Sequence, residues 1–469
     1  MKILEFKDKK ILILGFGREG QSSLRYLRKY YPKQTIGVAD QNSLAEFGPT
    51  ERTVIKKDKN LELHLGKNYL NSLGQFEIII KTAGLKLPDH LARKLGRQRI
   101  AVTTNLNIFL ANKKGRVVAV TGTKGKSTTA SLIYEILKKA GKKTVLVGNI
   151  GKPFLDYINQ NSKQTIFVAE LSSYQLDTLN QPLDLAVITS FYPEHLNYHG
   201  NLNNYFQAKM NIVRNLKAGG VVVYNRKFKR VNNFIKKQAA SRRIKAIGYS
   251  KLTAEFSEQR ILLGEHNQEN MAGAIAVAKL LKINDAEIKK ALAKFRPLEH
   301  RLELVGKFRG ITFYNDVLST TPESTIEAIK SLRDKNLQTL IVGGFDRGLN
   351  YQNLAREITR PQRLAASDGR RENSKIRTVI CWPHAGETIA KEIERRQRRL
   401  GNISMGSLTP SPRIVRVKNM AETIKAAYKY TKSGEAVVLS PAASSYDFYT
   451  DYREKGAEYK KLVINQGKG

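Results

Sequence analysis

Cysteine is nearly absent: Cys381 stands alone in 469 residues, so no intrachain disulfide can form and thiolate metal clusters are excluded. That usage predicts a cytoplasmic setting. No apolar stretch approaches the ~20 residues needed to span a bilayer, so no membrane association is expected. The opening "MKILEFKDKKILILGFG" runs through interrupting lysines straight into a glycine turn, and reads as a first strand rather than a signal peptide. The seven histidines show no zinc-type spacing, and internal repeats and long low-complexity segments are missing too. Acidic residues are scarce, 41 against 81 lysines and arginines, which leaves a net charge of +40. Such a surplus sets up a strong positive field and predicts anionic partners. It is densest in "NRKFKRVNNFIKKQAASRRIK" (Asn225 to Lys245) and "KEIERRQRRL" (Lys391 to Leu400). Two readings compete there: a non-specific nucleic-acid contact, or a solvated surface around a phosphate-bearing substrate.

What is present is globular, with 41% hydrophobic and 26% charged residues. The length exceeds one core and predicts two to four domains. Short apolar strands alternate with amphipathic helices, the pattern of parallel sheets covered by helices. The first block places strands near Lys10 to Leu14, Thr35 to Ala39 and Glu77 to Lys81, and "NLNIFLANKKG" (Asn105 to Gly115) reads as a linker. A second block runs from Val117 to about Phe295, where "RPLEHRLE" (Arg296 to Glu303) marks the next boundary. The third block has strands near Ile311 to Tyr314, Thr339 to Val342, Thr378 to Cys381 and Ala436 to Leu439, with an exposed polar loop from Pro361 to Arg377. The expected domains are residues 1–112, 113–297 and 298–469. Cys381 itself reads as a packed strand thiol.

The sharpest motif is "VVAVTGTKGKSTTASLIYEIL", beginning at Val117. A buried strand, Val117 to Val120, passes into a glycine turn, and Ile133, Ile136, Leu137 and Ala140 then fall on one helix face that stops at Gly141. Amides at such a helix start point outward, and glycines let the chain approach a phosphate closely. The turn Gly122, Thr123, Lys124, Gly125, Lys126, Ser127, Thr128 is therefore a phosphate loop, shortened because Val120 stands where the common spacing has glycine. Lys126 can neutralise phosphate oxygens, and Ser127 or Thr128 can reach magnesium. Two more strands, Thr165 to Glu170 and Leu183 to Ser190, end in Glu170 and lead toward His195. Ligands collect beyond the carboxyl ends of parallel strands, so these two side chains are candidates for a magnesium site. In the first block, "GFGREG" (Gly15 to Gly20) follows a strand, with Asp40 twenty residues past Gly20, which fits a dinucleotide fingerprint. "GEHNQENMAGAIAVAKLL" alone reads as a capped helix.

"GTKGKST", "ELSSYQL" (Glu170 to Leu176), "EHLNYHG" followed by "YFQAK" ending at Lys209, "GEHNQEN", "PLEHRLE", "YNDVLSTTPEST", "GGFDRG" and "SPAASSYDFYTDYREKG" occur in this order over all three blocks. Together they resemble the Mur ligases of peptidoglycan synthesis, most of all the branch that adds glutamate to UDP-N-acetylmuramoyl-L-alanine. The resemblance implies an α/β protein of three domains: a Rossmann-like N-terminal domain for the UDP substrate, a central P-loop ATPase domain with a mainly parallel sheet, and a C-terminal Rossmann-like domain for the amino acid. It implies ATP and Mg2+ as cofactors and an acyl phosphate as intermediate. Lys126 would sit on the transferring phosphate. Ser127 and Glu170 would hold one metal, and Glu170, His195 and a carbamylated Lys209 would support a second. Asn267 and Asn270 would contact the adenine side of ATP, with Arg301 and Asp316 reaching its ribose or phosphates.

For the UDP substrate the resemblance implies Gly15, Gly17, Arg18 and Gly20 around the diphosphate, Asp40 and Gln41 near uridine, and Thr82 and Gly84 along the site. Asn149, Ser172 and Gln175 complete that set. For the incoming amino acid it implies Arg347, Ser445, Tyr446 and Tyr452. The pattern departs from the family at Leu318, where a lysine is common, and at Arg347, where a lysine is frequent. The "STTPEST" stretch also resembles a branch that adds L-glutamate, so D-glutamate is the first expectation and L-glutamate the second. A different Mur ligase, a folylpolyglutamate synthetase-like enzyme and a basic nucleic-acid-binding P-loop ATPase stay open behind them. The chain is expected to act as a monomer.

Overall fold

Runs of isoleucine, valine and leucine too short to make helices are drawn into three sheets, because parallel strands covered on both faces must be apolar along their length. A computed structural model describes residues 1–256, 258, 262–360, 376–401, 411–446 and 448–468. The polar loop expected from Pro361 to Arg377 lies outside the described residues as far as residue 375. The chain divides into two compact units, Met1–Gln259 with His266–Phe295, and Arg260–Glu265 with Arg296–Gly469.

The first unit contains two parallel sheets. One comprises β1 (Ile11–Leu14), β2 (Ile36–Asp40), β3 (Leu61–Leu65), β4 (Ile78–Lys81) and β5 (Ala101–Thr103) in the order β3-β2-β1-β4-β5. Strand order reverses beside β1, which opens a crevice beyond the carboxyl ends of β1 and β4. The other comprises β6 (Arg116–Thr121), β7 (Thr144–Gly148), β8 (Ile166–Glu170), β9 (Leu183–Ile188), β10 (Leu216–Asn225) and β11 (Lys245–Tyr249) in the order β11-β10-β9-β6-β8-β7. Here the reversal falls at β6, which pairs with β8 on one side and β9 on the other.

The second unit holds β12 (Glu303–Phe308), β13 (Ile311–Asn315), β14 (Leu337–Gly344), β15 (Thr378–His384), β16 (Arg413–Arg416) and β17 (Ala436–Leu439), ordered β12-β13-β17-β14-β15-β16. All neighbours are parallel except the edge pair β12 and β13. Cys381 is buried on β15, and burial pushes its thiol up to about 12, so it is an inert packing group.

The expected linker at Asn105 to Gly115 is instead mostly a helix, Asn105–Asn112, capped by Thr104, whose hydroxyl accepts from the Asn107 amide at 3.2 Å. Its asparagines mislead because their side chains serve the interior. Asn105 donates to Ser23 Oγ at 3.0 Å, and Asn107 to the Thr178 carbonyl at 2.7 Å. Phe109 is fully buried against Phe154 and Phe167, in a core that also holds Ile11 and Leu24 of the first sheet's layer. Among the described residues no helix is long and apolar enough to cross a membrane.

Candidate active site

The loop after β6 is shaped by its glycines. Gly125 has φ +84°, and a Cβ there would lie 2.2 Å from Asn270 Oδ1, so the helix Lys126–Lys139 starts with backbone pressed against the Asn270 side chain. The loop is tied down by the end of β9. Thr123 N donates to the Ser190 carbonyl at 3.0 Å, Lys124 N to Ser190 Oγ at 2.8 Å, and Thr189 Oγ1 to the Lys124 carbonyl at 2.6 Å. Thr123 Oγ1 and the Tyr205 hydroxyl are 3.0 Å apart. Lys126 Nζ donates to the Thr123 carbonyl at 2.9 Å, folded over the turn it belongs to.

Acids and cations gather around this turn. Glu170, at the end of β8, is buried; its Oε1 accepts from Asn149 Nδ2 at 3.1 Å, while Oε2 has no hydrogen-bond partner. A buried carboxylate oxygen without a donor carries a substantial desolvation cost, and a cation offsets it. Lys209 is fully buried and donates to the Gly122 carbonyl at 2.8 Å. Burial holds its pKa well below the usual lysine range; Lys126 adds to the depression, and Glu194 and Glu170 oppose it. Glu194 forms a 2.7 Å ion pair with Lys124; burial pushes its carboxyl up, but Lys124 and Lys126 outweigh that and hold it below the usual range. His195 is in the left-handed region at φ +54°, with its ring 5.0 Å from that of Tyr174. Burial lowers the pKa of this imidazole against the pull of Glu194.

Among the described residues no three His, Cys, Asp or Glu side chains form a metal cluster. An orphaned carboxylate oxygen at the end of β8, with the hydroxyl of Ser127 at the start of the helix after β6, fits a magnesium ion, which takes few protein ligands and keeps water and phosphate oxygens for the rest. Asn270 donates to Asn267 Oδ1 at 3.0 Å and accepts from Thr129 Oγ1 at 3.3 Å. The structure therefore brings Gly122 to Thr128, Glu170, Lys209 and Asn270 together around one turn.

The crevice of the first sheet opens into a cavity of about 580 Å³. Gly15, Gly17, Arg18, Asp40, Gln41, Thr82 and Gly84 line it from the first sheet's loops, and Asn149, Ser172 and Gln175 from the second sheet. Gly20 lies below the lining: a Cβ on it would meet the Gly15 carbonyl at 2.1 Å, which sets how closely the helix Arg18–Tyr30 approaches its loop. Asp40 is committed to that loop, accepting from Phe16 N at 2.7 Å and Asn42 N at 2.9 Å. Glu19 takes a role that the glycine motif around it does not announce. It accepts from Gln175 Nε2 at 2.7 Å and from Ala83 N at 3.1 Å, joining both sheets' loops at the cavity floor. Buried Lys81 donates to the carbonyls of Thr82 and Leu85 at 3.1 and 2.5 Å, clamping the loop that carries Thr82 and Gly84. Nothing in the spacing of "IIIKTAG" singles out that lysine.

In the second unit, Asp316 accepts from Ser440 Oγ at 2.9 Å and Leu302 N at 3.1 Å, and burial raises its pKa to about 6. Both carboxylate oxygens are thus engaged inside that unit; Arg301, one residue before Leu302, lies beside it and lowers its pKa slightly. Arg347 donates to the Thr320 carbonyl at 2.5 Å. Ser444 and Ser445 carry buried hydroxyls with no hydrogen-bond partner, next to the contact where Phe345 N donates to the Ser444 carbonyl at 3.0 Å. Tyr446 is exposed, and Tyr452 packs edge-on to His300 at 5.8 Å. Buried Lys455, near the end of the "SPAASSYDFYTDYREKG" stretch and given no role from the sequence, donates to the Gly343 carbonyl at 3.2 Å.

A shortened phosphate loop at the switch point of a parallel sheet, with a second ligand cavity at the switch point of another, defines a nucleotide-phosphate-binding α/β protein. Residues 120–278 match the Mur ligase middle domain. The chain is 30% identical over 485 residues to a protein of Acetivibrio thermocellus named UDP-N-acetylmuramoylalanine--D-glutamate ligase, covering 98% of this chain and 97% of that one. It is 28% identical to a protein of the same name from Caldicellulosiruptor saccharolyticus, over 98% and 99% of the two chains. Among solved structures it matches UDP-N-acetylmuramate-alanine ligase MurC from Thermotoga maritima at TM-score 0.58 and 16% identity, covering 98% and 100% of the two chains. It also matches the MurF ligase of Thermotoga maritima in complex with ADP, at TM-score 0.57 and 14% identity, over 99% and 97%. The chain belongs to the Mur ligase family.

Proposed function

We propose that this chain is an ATP-dependent amide ligase that joins D-glutamate to UDP-N-acetylmuramoyl-L-alanine, in cytoplasmic synthesis of peptidoglycan precursors. Full-length similarity to relatives bearing the name of that activity carries the reading. In this reading residues 1–112, 113–297 and 298–469 serve the UDP substrate, ATP and the amino acid in turn, and the chain works as a monomer.

The substrate carboxylate attacks the γ-phosphorus of ATP, forming an acyl phosphate and releasing ADP. The glutamate amine then attacks the acyl carbon, loses its proton, and the tetrahedral intermediate expels inorganic phosphate to leave the amide. Neither step needs a protein nucleophile; both need developing negative charge to be met by fixed positive charge. Lys126 and the amides of Gly122 to Thr128 supply it. Magnesium, held by Ser127, Glu170, His195 and a carbamylated Lys209, would add neutralisation of the triphosphate. Lys209 suits that modification, because burial favours the neutral amine, the form that adds to carbon dioxide. The 580 Å³ cavity takes the UDP-sugar, with Asn149 between it and Glu170. Arg347, Ser445, Tyr446 and Tyr452 receive glutamate; Arg347 can grip a carboxylate as a bidentate fork.

The test is phosphate release by the purified protein with ATP, magnesium and UDP-N-acetylmuramoyl-L-alanine, with D- or L-glutamate in separate reactions. Turnover with D-glutamate alone is expected. The "STTPEST" stretch carries the L-glutamate reading, and exclusive use of L-glutamate would establish it. No turnover with either would reject the assignment.

A further inference from the structure

Beyond ligation, we propose that the strand-start edge of the second sheet, opposite the phosphate loop, binds the phosphate backbone of duplex nucleic acid. Ligands of the ligase reaction collect at the other edge, beyond the strand ends, so these cations have no part in it. At one side of the edge, Arg243 precedes and Lys245 begins β11, and Lys217 lies at the start of its neighbour β10. Farther along, exposed Lys114 and Arg116 lead into β6, Lys163 precedes β8, and Lys142 and Lys143 precede β7.

The single acid in the six strand-start segments is Asp184 at β9, and it is shared by Lys113 at 2.9 Å and Lys217 at 2.7 Å. One carboxylate between two lysines leaves the row strongly positive. The excess continues into the last turns of the helix Lys229–Ser241, which leads back to this edge: Lys236 and Lys237 are exposed there, and Arg242 and Arg243 follow before β11. The first sheet shows that general basicity does not require this arrangement. Its strand-start edge is neutralised by ion pairs, Lys9 with Glu77 at 2.8 Å and Arg28 with Asp58 at 2.6 Å.

Six strands set side by side at ~4.8 Å spread these cations over roughly 24 Å. One strand of a duplex presents about seven phosphates over that length, at ~3.4 Å each along the axis. A linear array suits a linear polyanion. The strand-start segments lack aromatic side chains to stack on exposed bases, so the row suits a backbone contact indifferent to sequence rather than a single-stranded site.

The experiment measures binding of a fluorescein-labelled 24-base-pair DNA duplex by anisotropy from 50 to 300 mM salt. It compares the full chain with a Lys142→Gln, Lys143→Gln, Arg243→Gln, Lys245→Gln variant. A control variant, Arg398→Gln with Arg399→Gln, removes exposed charge from the second unit. The expected result is that the four changes lower the slope of log K against log salt by about 3 to 4, that the control shifts it by less than 1, and that ATP-dependent phosphate release is unchanged in both. No binding at 50 mM salt, or equal effects per charge in rim and control variants, would overturn the proposal. So would loss of binding to phosphatidylglycerol vesicles in the rim variant with duplex binding intact, which would make the face a lipid-contact surface.

Discussion

Lys209 points its ammonium nitrogen at the Gly122 carbonyl, 2.8 Å away, from a position that water does not reach. The first residue of the phosphate loop is thereby fastened to the helix Leu202–Arg214 by a lysine that burial pushes toward its neutral form.

The sign of the resulting pH effect follows from linkage. With Lys209 unmodified, as in buffer depleted of carbon dioxide, the folded chain holds fewer protons there than the unfolded chain at every pH between the depressed folded value and ~10.4, so this site's contribution to stability rises with pH through that window. Lys209→Met removes the dependence. Melting temperatures of the two proteins at pH 7 and pH 9.5 should show the wild type improving relative to the variant as pH rises. The variant should also lose ligation.

Glu170→Gln keeps the shape of the side chain and removes the charge from the orphaned Oε2. Turnover should fall on the order of 100-fold or more, with a raised magnesium requirement, while the melting temperature changes little or rises. A magnesium titration of phosphate release reads the first effect and thermal denaturation the second. Unchanged magnesium dependence would remove Glu170 from the metal site.

Gly125→Ala places a methyl 2.2 Å from Asn270 Oδ1 and imposes φ +84° on an L-residue. The backbone conformation alone costs about 1–2 kcal/mol, and the collision moves either the loop or Asn270. Lower melting temperature and loss of ATP binding, measured by calorimetry, are expected together.

Asp316 titrates at about 6, above its ordinary value, because it is buried. The folded form therefore holds its proton more tightly, and the stability it contributes is present below pH ~4 and lost as pH rises through 6, a change of about 3 kcal/mol. Asp316→Asn has no such loss, so its melting temperature relative to wild type should climb from pH 4 to pH 6 and then level off.

Glu19→Gln should raise KM for the UDP substrate several-fold and leave kcat nearly unchanged, because Glu19 joins Gln175 to Ala83 at the cavity floor and lies away from the phosphate loop. A fall in kcat at constant KM would place its effect on the chemistry instead.

The strands with strong aliphatic runs are legible directly: Ala436–Leu439 is as expected, and Ile11–Leu14 and Ile78–Lys81 differ by one residue at one end. Leu61–Leu65, Ala101–Thr103 and Arg413–Arg416 are not, since they are short edge strands with exposed or charged positions and resemble loops. The phosphate loop is legible because a glycine turn between an apolar strand and an amphipathic helix allows few structures. The roles of Glu19, Lys81 and Glu194 stay hidden because each depends on a partner far along the chain or on burial, and a local window contains neither. Asn105 and Asn107 mislead in the opposite direction, since polar side chains that satisfy interior carbonyls look like solvent-facing ones until the fold supplies those carbonyls.

The helix Asn105–Asn112 also bears on how the chain can be divided. A fragment ending at residue 112 would carry Phe109 away from Phe154 and Phe167 and leave Asn107 without the Thr178 carbonyl. The freed piece would present a greasy scar to water and tend to clump, so anyone wishing to study the 580 Å³ cavity in isolation is better served by keeping both sheets of the first unit.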